Sequence, residues 1–577
     1  MTKEILIVFK THLDIGYTEL AKDVMDRYLH SFIPNAIRIG YELKDTDTPF
    51  IWTVGAWLIH EALKQDHDGA LEQAIRDGVI AWHGLPFTYH TELMDPALFS
   101  YGLTLAQTLN ERFGKTTAGA KMTDVPGHTI GMVPLLADAG ISFLHIGVNT
   151  ATPVPNVPPV FRWRCGDREI VVACEGSYGG NLEFDDFVLV FAHTNDNMGP
   201  QSPEEIRAIY RDLANRYPGY TVRAATLDDV AKRMVQLPDL PVITQEIGDT
   251  WIHGAGTDPK KIGMFRELMR FTAQNGTQGK DLADSLLVVP EHTWGACIQL
   301  HFPNRKDWFH NDLANTADAA KKAFVEASWN EQRDYVRKAE EVLGVRADYT
   351  LSAPDLTGFV PCDGSDLPVQ LSWQLFDADD YTRYINKYLV LTQYTIQWAA
   401  WDFTKPELPH YKGGIYAPTV RGCWEKDGKK IYHLAFDDDF AETYGLPCFY
   451  VTVCGNEIEV DWLGKRANRL PQAFWLQFKD SKTPWEISKL GQWIDPDHVL
   501  GSPLIMATDY GVRNADTVIE SLDACLVAPF GRRLLDFELS PTGKDLYFNL
   551  YNNIWNTNFP IWYADDTRFR FVIKDRD

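Results

Sequence analysis

Apolar positions in the first half of the chain come in short, nearly unbroken runs. Ile5-Leu6-Ile7-Val8-Phe9 is the first, and similar runs recur at Phe50–Val54, Val79–His83, Ala118–Met122, Phe143–Val148, Ile170–Ala173, Phe187–Phe191, Tyr220–Ala224 and Val242–Ile247. Runs of this length predict buried strands. Stretches of helical period lie between them, among them Pro134–Ala139 closed by Gly140, Glu204–Arg216 and Leu227–Gln236. Alternation of this kind over residues 1–300 predicts a β/α barrel-like domain, a mostly parallel sheet with helices outside, open or closed. Such sheets carry their chemistry at the carboxyl ends of the strands.

The period then changes. Leu313, Ala317, Ala320 and Phe324 keep a 4-3-4 rhythm that Val336, Ala339 and Leu343 resume, and Ser328-Trp329-Asn330-Glu331 resembles a capping box that would split this stretch into two helices. Asp380–Trp401 predicts a further amphipathic helix, and Thr350–Leu375, rich in Pro, Gly and Asp, an irregular excursion. These define a helical bundle module over residues 305–405. Residues 411–577 alternate short strand patterns with Gly-, Asp-, Asn- and Pro-rich turns: Lys430–Phe436, Cys448–Val453, Glu457–Trp462, Ala473–Phe478, Ala528–Glu538 and Asp545–Tyr551. They predict an antiparallel β-sandwich. The fold class is multidomain α/β, α and β.

Composition narrows the picture. At 577 residues the chain exceeds one ordinary core. Hydrophobic content of 45% and charged content of 23% are those of a soluble globular protein, and a net charge of −24 argues against nucleic-acid and anionic-membrane partners. No apolar run approaches the ~20 residues that span a bilayer, and the first strand is too short for a secretory leader. The 8 cysteines form no Cys-x-x-Cys pair and read as neither a disulfide framework nor a zinc knuckle, which favours a reducing cytoplasm. Aromatic content of 12%, with 18 Trp, suits sugar stacking and aromatic cores alike.

Candidate chemistry sits just past the strands. In Lys10-Thr11-His12-Leu13-Asp14-Ile15-Gly16, His12 and Asp14 are two apart and share a face. An imidazole and a carboxylate at a strand end suit zinc, and also suit a simple His–Asp hydrogen bond. Asp124 opens Asp124-Val125-Pro126-Gly127-His128, where it is equally a turn residue. Asp196 precedes Gly199-Pro200 in the same double sense, and His253 lies among small residues in Gly248-Asp249-Thr250-Trp251-Ile252-His253-Gly254. Polar, aromatic loops at Trp82–Glu92, Glu175–Gly180 and Glu291–Gly295 can line a sugar pocket or simply pack.

Taken together and in order, these motifs resemble glycoside hydrolase family 38, the zinc-dependent α-mannosidases, in a divergent branch carried as a domain of unknown function. His12-Leu13-Asp14-Ile15-Gly16-Tyr17 is similar to the family's His-x-Asp-x-Gly-Trp motif, with Tyr17 in place of Trp. Asp124-Val125-Pro126-Gly127-His128-Thr129 is similar to Asp-x-Phe-Gly-His-Ser, with Pro126 in place of Phe. The resemblance covers about the first 300 residues and, more loosely, the helical module. It implies a seven-stranded barrel-like domain, a helical bundle and β-sandwich material. It further implies one zinc ion held by His12, Asp14, Asp124 and His253, with Asp124 also the nucleophile of a retaining glycosidase and Asp196 its acid/base. Two carboxyls about 5–5.5 Å apart serve that double displacement, with Asp196 raised in pKa and Asp124 ionised. Trp57, His90, Glu92, His128, Trp251, Glu291, His292 and Trp294 are the expected substrate-binding residues. The expected partner is a carbohydrate, with mannose as the sugar that the resemblance supplies; a homo-oligomer is compatible with all of this.

Two other readings use the same residues. A zinc-dependent carbohydrate deacetylase or amide hydrolase would need an open coordination position and a second close His pair, which the sequence lacks near these motifs. A non-catalytic sugar-binding protein on the same scaffold would need neither Asp124 nor Asp196.

Overall fold

The structure, a computed structural model, describes residues 3–275, 280–344, 351–478, 484–501, 503–536 and 545–576. Its first strand organises the first half. β1 (Glu4–His12) is buried from Ile5 onward. It lies parallel to β2 (Trp52–Gly55), which is parallel to β3 (Ile80–His83). A second sheet begins with β4 (Gly119–Asp124), parallel to β5 (Phe143–Val148). β6 (Val160–Cys165) and β7 (Arg168–Gly176) form an antiparallel hairpin whose second arm runs parallel to β5. β8 (Asn181–Glu183) turns back onto β9 (Phe187–Asp196), and β9 returns to β1 in parallel. β10 (Thr221–Ala224) pairs with the start of β1, and β11 (Val242–Ile243) with β6. The parallel strands are thus divided over two sheets, ordered β3-β2-β1-β9-β8 (with β10 also on β1) and β11-β6-β7-β5-β4.

Alternation explains what the strands enclose. Leu6 and Val8 of β1 share a core with Phe143, Val171, Phe187 and Leu189. Two residues further along β1, on that same face, stand Lys10 and then His12. The interior therefore grades from aliphatic to polar along the strands. Lys10, His83, Lys121 and His145 are all buried beyond the aliphatic layer, and His145 is paired to Glu175 at 3.1 Å.

By its contacts the chain divides into two units. The first is Met1–Thr91, Pro96–Ile247 and Glu291–Thr293; the second is Glu92–Asp95, Gly248–Pro290 and Trp294–Asp577. Both the helical stretch and the C-terminal strands belong to the second. Its helices differ from the sequence expectation. The break falls at Asn315–Asp318, between His310–Ala314 and Ala319–Leu343, not at Ser328. Ser328 lies inside the longer helix, where its hydroxyl donates to the Val325 carbonyl at 2.7 Å and so competes for no cap. The helix expected over Asp380–Trp401 divides into Ala378–Tyr388 and Ile396–Asp402, and the irregular excursion contains the strand Val369–Leu375.

Two antiparallel sheets complete the second unit. The strands Val369–Leu375, Gln472–Phe478 and Tyr547–Asn552 belong to one; Lys429–Ala435, Cys448–Cys454, Glu457–Leu463 and Thr567–Asp575 belong to the other. Their inner faces share an aromatic core in which Trp462 meets Phe474 edge to face at 5.1 Å. The strand expected over Ala528–Glu538 is not found: the strand Leu526–Ala528 ends where it would begin, and residues 529–536 run as turns and bends; residues 537–544 are outside those described. One cysteine pair corrects the sequence reading: Cys362 and Cys423 form a disulfide. They meet because Val360–Pro361 pairs with the strand Thr419–Lys426, a register that sequence spacing does not reveal.

Candidate metal centre

The β1–β9 ladder makes the centre. Its register shifts between Lys10 and His12, and beyond the shift His12 stands opposite Asp196. Gly16, at φ +128°, turns the chain immediately after Asp14. Asn197, buried at φ +53°, holds that turn: its amide donates to the carbonyls of Asp14 and Gly16 at 3.2 and 3.1 Å and accepts from the Asp14 N–H at 3.1 Å. Tyr28 donates its hydroxyl to the His12 carbonyl at 3.2 Å.

Across from these stands His292. Its Nε2 is 3.0 Å from His12 Nε2 and 3.0 Å from Asp14 Oδ1, and 3.6 Å from Asp124 Oδ2. His12 Nε2 is 3.2 Å from Asp14 Oδ1. The far nitrogens of the two rings are engaged elsewhere: His12 Nδ1 with Thr123 Oγ1 at 2.9 Å and His292 Nδ1 with Glu291 Oε1 at 2.7 Å. With His12 Nδ1 at Thr123 and His292 Nδ1 at Glu291, the two Nε2 atoms face each other and Asp14, and once deprotonated they are the nitrogens placed to ligate a metal. Two buried imidazole nitrogens and two carboxylates converging in this way fit a zinc-type donor set. His12, Asp124 and His292 form one group able to hold an ion, and His12, Asp14 and Asp196 a second, overlapping one.

Asp124 is held with care. It ends β4 at φ +90°, a region that a side chain disfavours. Its Oδ1 accepts from Asn149 Nδ2 at 2.8 Å and from the Tyr178 hydroxyl at 2.9 Å. Tyr178 also stacks on His12, with ring centroids 4.4 Å apart.

Electrostatics separates the acids. Burial alone would raise the Asp14 carboxyl, but the His12 and His292 rings hold it below the usual range. Burial raises Asp124, with the Asp14 charge adding to it. Burial and the Asp14 charge push Asp196 up to about 6. Burial opposes charge on His292, yet Glu291 and Asp14 raise its pKa well above the ordinary imidazole value. Burial lowers His12. Beneath the centre, burial drives Lys121 down to about 8, and its ammonium nitrogen reaches Thr123 Oγ1 at 3.2 Å, the atom that also meets His12.

The structure therefore brings together His12, Asp14, Asp124 and Asp196, and adds Glu291 and His292, which had been expected only as sugar contacts. His253, expected as the fourth ligand, belongs to the second unit, where its ring meets Trp555 edge-on at 4.3 Å and Phe559 at 6.3 Å. Glu92, Trp251 and Trp294 are in that unit too. Glu92 is fully buried against Lys489 at 2.7 Å, Trp251 packs on Phe403 and Trp555, and Trp294 lies under the Lys261 ammonium at 3.3 Å. In the first unit, Trp57 packs edge-on to Phe87 at 5.3 Å, His90 is buried, and the backbone of buried His128 bridges to Ile247. Sequence reasoning passed over Thr123 and Asn149. Asn149 follows directly on the strand Phe143–Val148, and that position was its only signal.

Set against known proteins, residues 255–353 match the family described as a domain of unknown function, DUF5054. No curated protein sequence matches the chain. Among solved structures it is similar to an α-mannosidase from Enterococcus faecalis V583, at 10% identity and TM-score 0.59, over 100% of this chain and 87% of that one. It is also similar to a protein in glycosyl hydrolase family 38 from Enterococcus faecalis, at 8% identity and TM-score 0.55, over 100% of this chain and 86% of that one. The chain thus has a fold like that of the family 38 glycosyl hydrolases.

Proposed function

We propose that the chain is a zinc-dependent retaining glycoside hydrolase, with His12, Asp14, Asp124 and His292 as the metal ligands. The observation that carries this is the pair of inward-facing Nε2 atoms 3.0 Å apart with Asp14 Oδ1 3.2 and 3.0 Å from them. When bound, zinc would grip sugar hydroxyls and favour ring distortion towards an oxocarbenium-like transition state. The protein's own groups do the rest. Asp124, aimed by Asn149 and Tyr178, attacks the anomeric carbon. Asp196, raised to about 6, protonates the departing oxygen and then takes a proton from the incoming water. The α-mannosidase among the similar folds makes an α-mannoside the first substrate to try.

The test is metal analysis of the purified chain and a panel of aryl α-glycosides with and without chelator. Stoichiometric zinc, turnover lost on chelation and restored by zinc, and retention of anomeric configuration are the expected results. Full turnover by Asp124→Asn would refute the mechanism.

A further inference from the structure

A concavity lies wholly within the second unit. It has a volume of about 270 Å³, just below the ~300–1,000 Å³ of pockets that take drug-sized ligands. One wall is a face of the helix Ala319–Leu343, on which Glu326, Trp329, Asn330 and Arg333 fall at helical spacing. The opposite wall is the segment containing Trp562, Tyr563 and Asp565, and Asp258 contributes from a third strand of chain.

The charges here are already matched. Arg333 makes a two-pronged pair with Asp258, Nε to Oδ2 at 2.7 Å and Nη2 to Oδ1 at 2.9 Å, and its Nη1 meets Asp565 Oδ2 at 2.7 Å. Glu326 is paired with Lys322 at 3.1 Å. A charged ligand would have to compete with one of these pairs. Directional hydrogen-bonding capacity nevertheless remains. A guanidinium has five N–H donors, and three are used here. Glu326 Oε1 accepts from Trp562 Nε1 at 3.1 Å, which leaves its second oxygen to accept. The Asn330 amide is exposed. Behind these groups stand Trp329 and Trp562, edge to face at 4.7 Å. Donors, acceptors and an aromatic wall with no uncompensated charge suit a neutral, polyhydroxylated ring.

We infer that this concavity is a second carbohydrate site that binds one uncharged sugar unit and takes no part in bond cleavage. It rests on the proposed hydrolase reading only for the choice of mannose as first probe.

Saturation-transfer NMR on the full chain tests it. The probes are methyl α-mannoside, methyl α-glucoside, glucuronate and glucosamine, each measured on zinc-stripped protein so that the metal centre contributes little. The key variant is Asn330→Trp, which fills the mouth from an exposed position. Glu326→Gln is the milder companion, keeping the shape. Transfer to the neutral glycosides is expected in the parent protein, at least tenfold weaker binding in Asn330→Trp, and intermediate loss in Glu326→Gln, with melting temperature unchanged in both. Equal transfer in the parent protein and Asn330→Trp would overturn the assignment, as would stronger binding of glucuronate or glucosamine than of the neutral sugars. Failure to hydrolyse any glycoside, with this binding intact, would refute the hydrolase reading and leave the second site standing.

Discussion

Replacing His292 and His253 one at a time separates the two candidate fourth ligands. His292 is 2% exposed at its side chain, with its Nε2 facing His12 and Asp14 and its Nδ1 on Glu291. His253 packs edge-on to Trp555 and tilted against Phe559. A four-ligand zinc site binds with about 10–16 kcal/mol, so one ligand of four carries roughly 2.5–4 kcal/mol. His292→Ala should therefore weaken zinc by about 10²–10³-fold, at 1.4 kcal/mol per decade. Glu291→Gln keeps both rings and removes only the carboxylate that orients one of them, and should cost about 10–100-fold. His253→Ala should leave zinc affinity within a factor of two or so, and lower stability through lost aromatic packing. Competition with a chromophoric chelator measures all three. Unchanged affinity in His292→Ala, or a loss in His253→Ala as large as the one predicted for His292→Ala, would refute the ligand set.

Other consequences are as direct. Asp196 must be protonated to act as acid, and its protonated fraction falls as pH rises through about 6, so kcat/KM should decline above that value. Asp196→Asn should lower turnover by about 10²–10⁴-fold and abolish that alkaline limb; persistence of the limb in a pH–rate profile would assign it elsewhere. Glu92 accepts from the Asp249 and Ala507 N–H groups at 3.2 and 2.9 Å and pairs with Lys489, both side chains fully buried. Lys489→Met should therefore destabilise the fold by about 3–5 kcal/mol in denaturant titration, with KM for any glycoside unaltered.

What the sequence disclosed follows from the range of its signals. Strands such as Phe143–Val148 are legible because their apolar runs are local, and His12 with Asp14 because the two lie close in sequence where the first strand ends. Asp124 and Asp196 are legible as strand-end acids. That the proposed ligand set has His292 where the resemblance implies His253 has the opposite cause. Both follow apolar segments and both lie within two residues of a carboxylic or aromatic residue, so local pattern cannot rank them. The Tyr89–Glu291 bridge and the His292 N–H bond to the Thr88 carbonyl at 3.3 Å bring a three-residue piece of distant chain into the first unit. The Cys362–Cys423 disulfide was hidden likewise, behind a strand register. The break at Asn315–Asp318 was misjudged because Ser328 has the composition of a cap but the hydrogen bond of a helix interior.

Asp124 bears on the stability of the fold as well as on the proposed chemistry. A non-glycine residue held at φ +90° costs on the order of 1–3 kcal/mol, and glycine would relieve it at the price of the carboxylate. On the proposed hydrolase reading the strained acid, clasped by Asn149 and Tyr178, is where the fold carries a stability cost for the sake of its carboxylate.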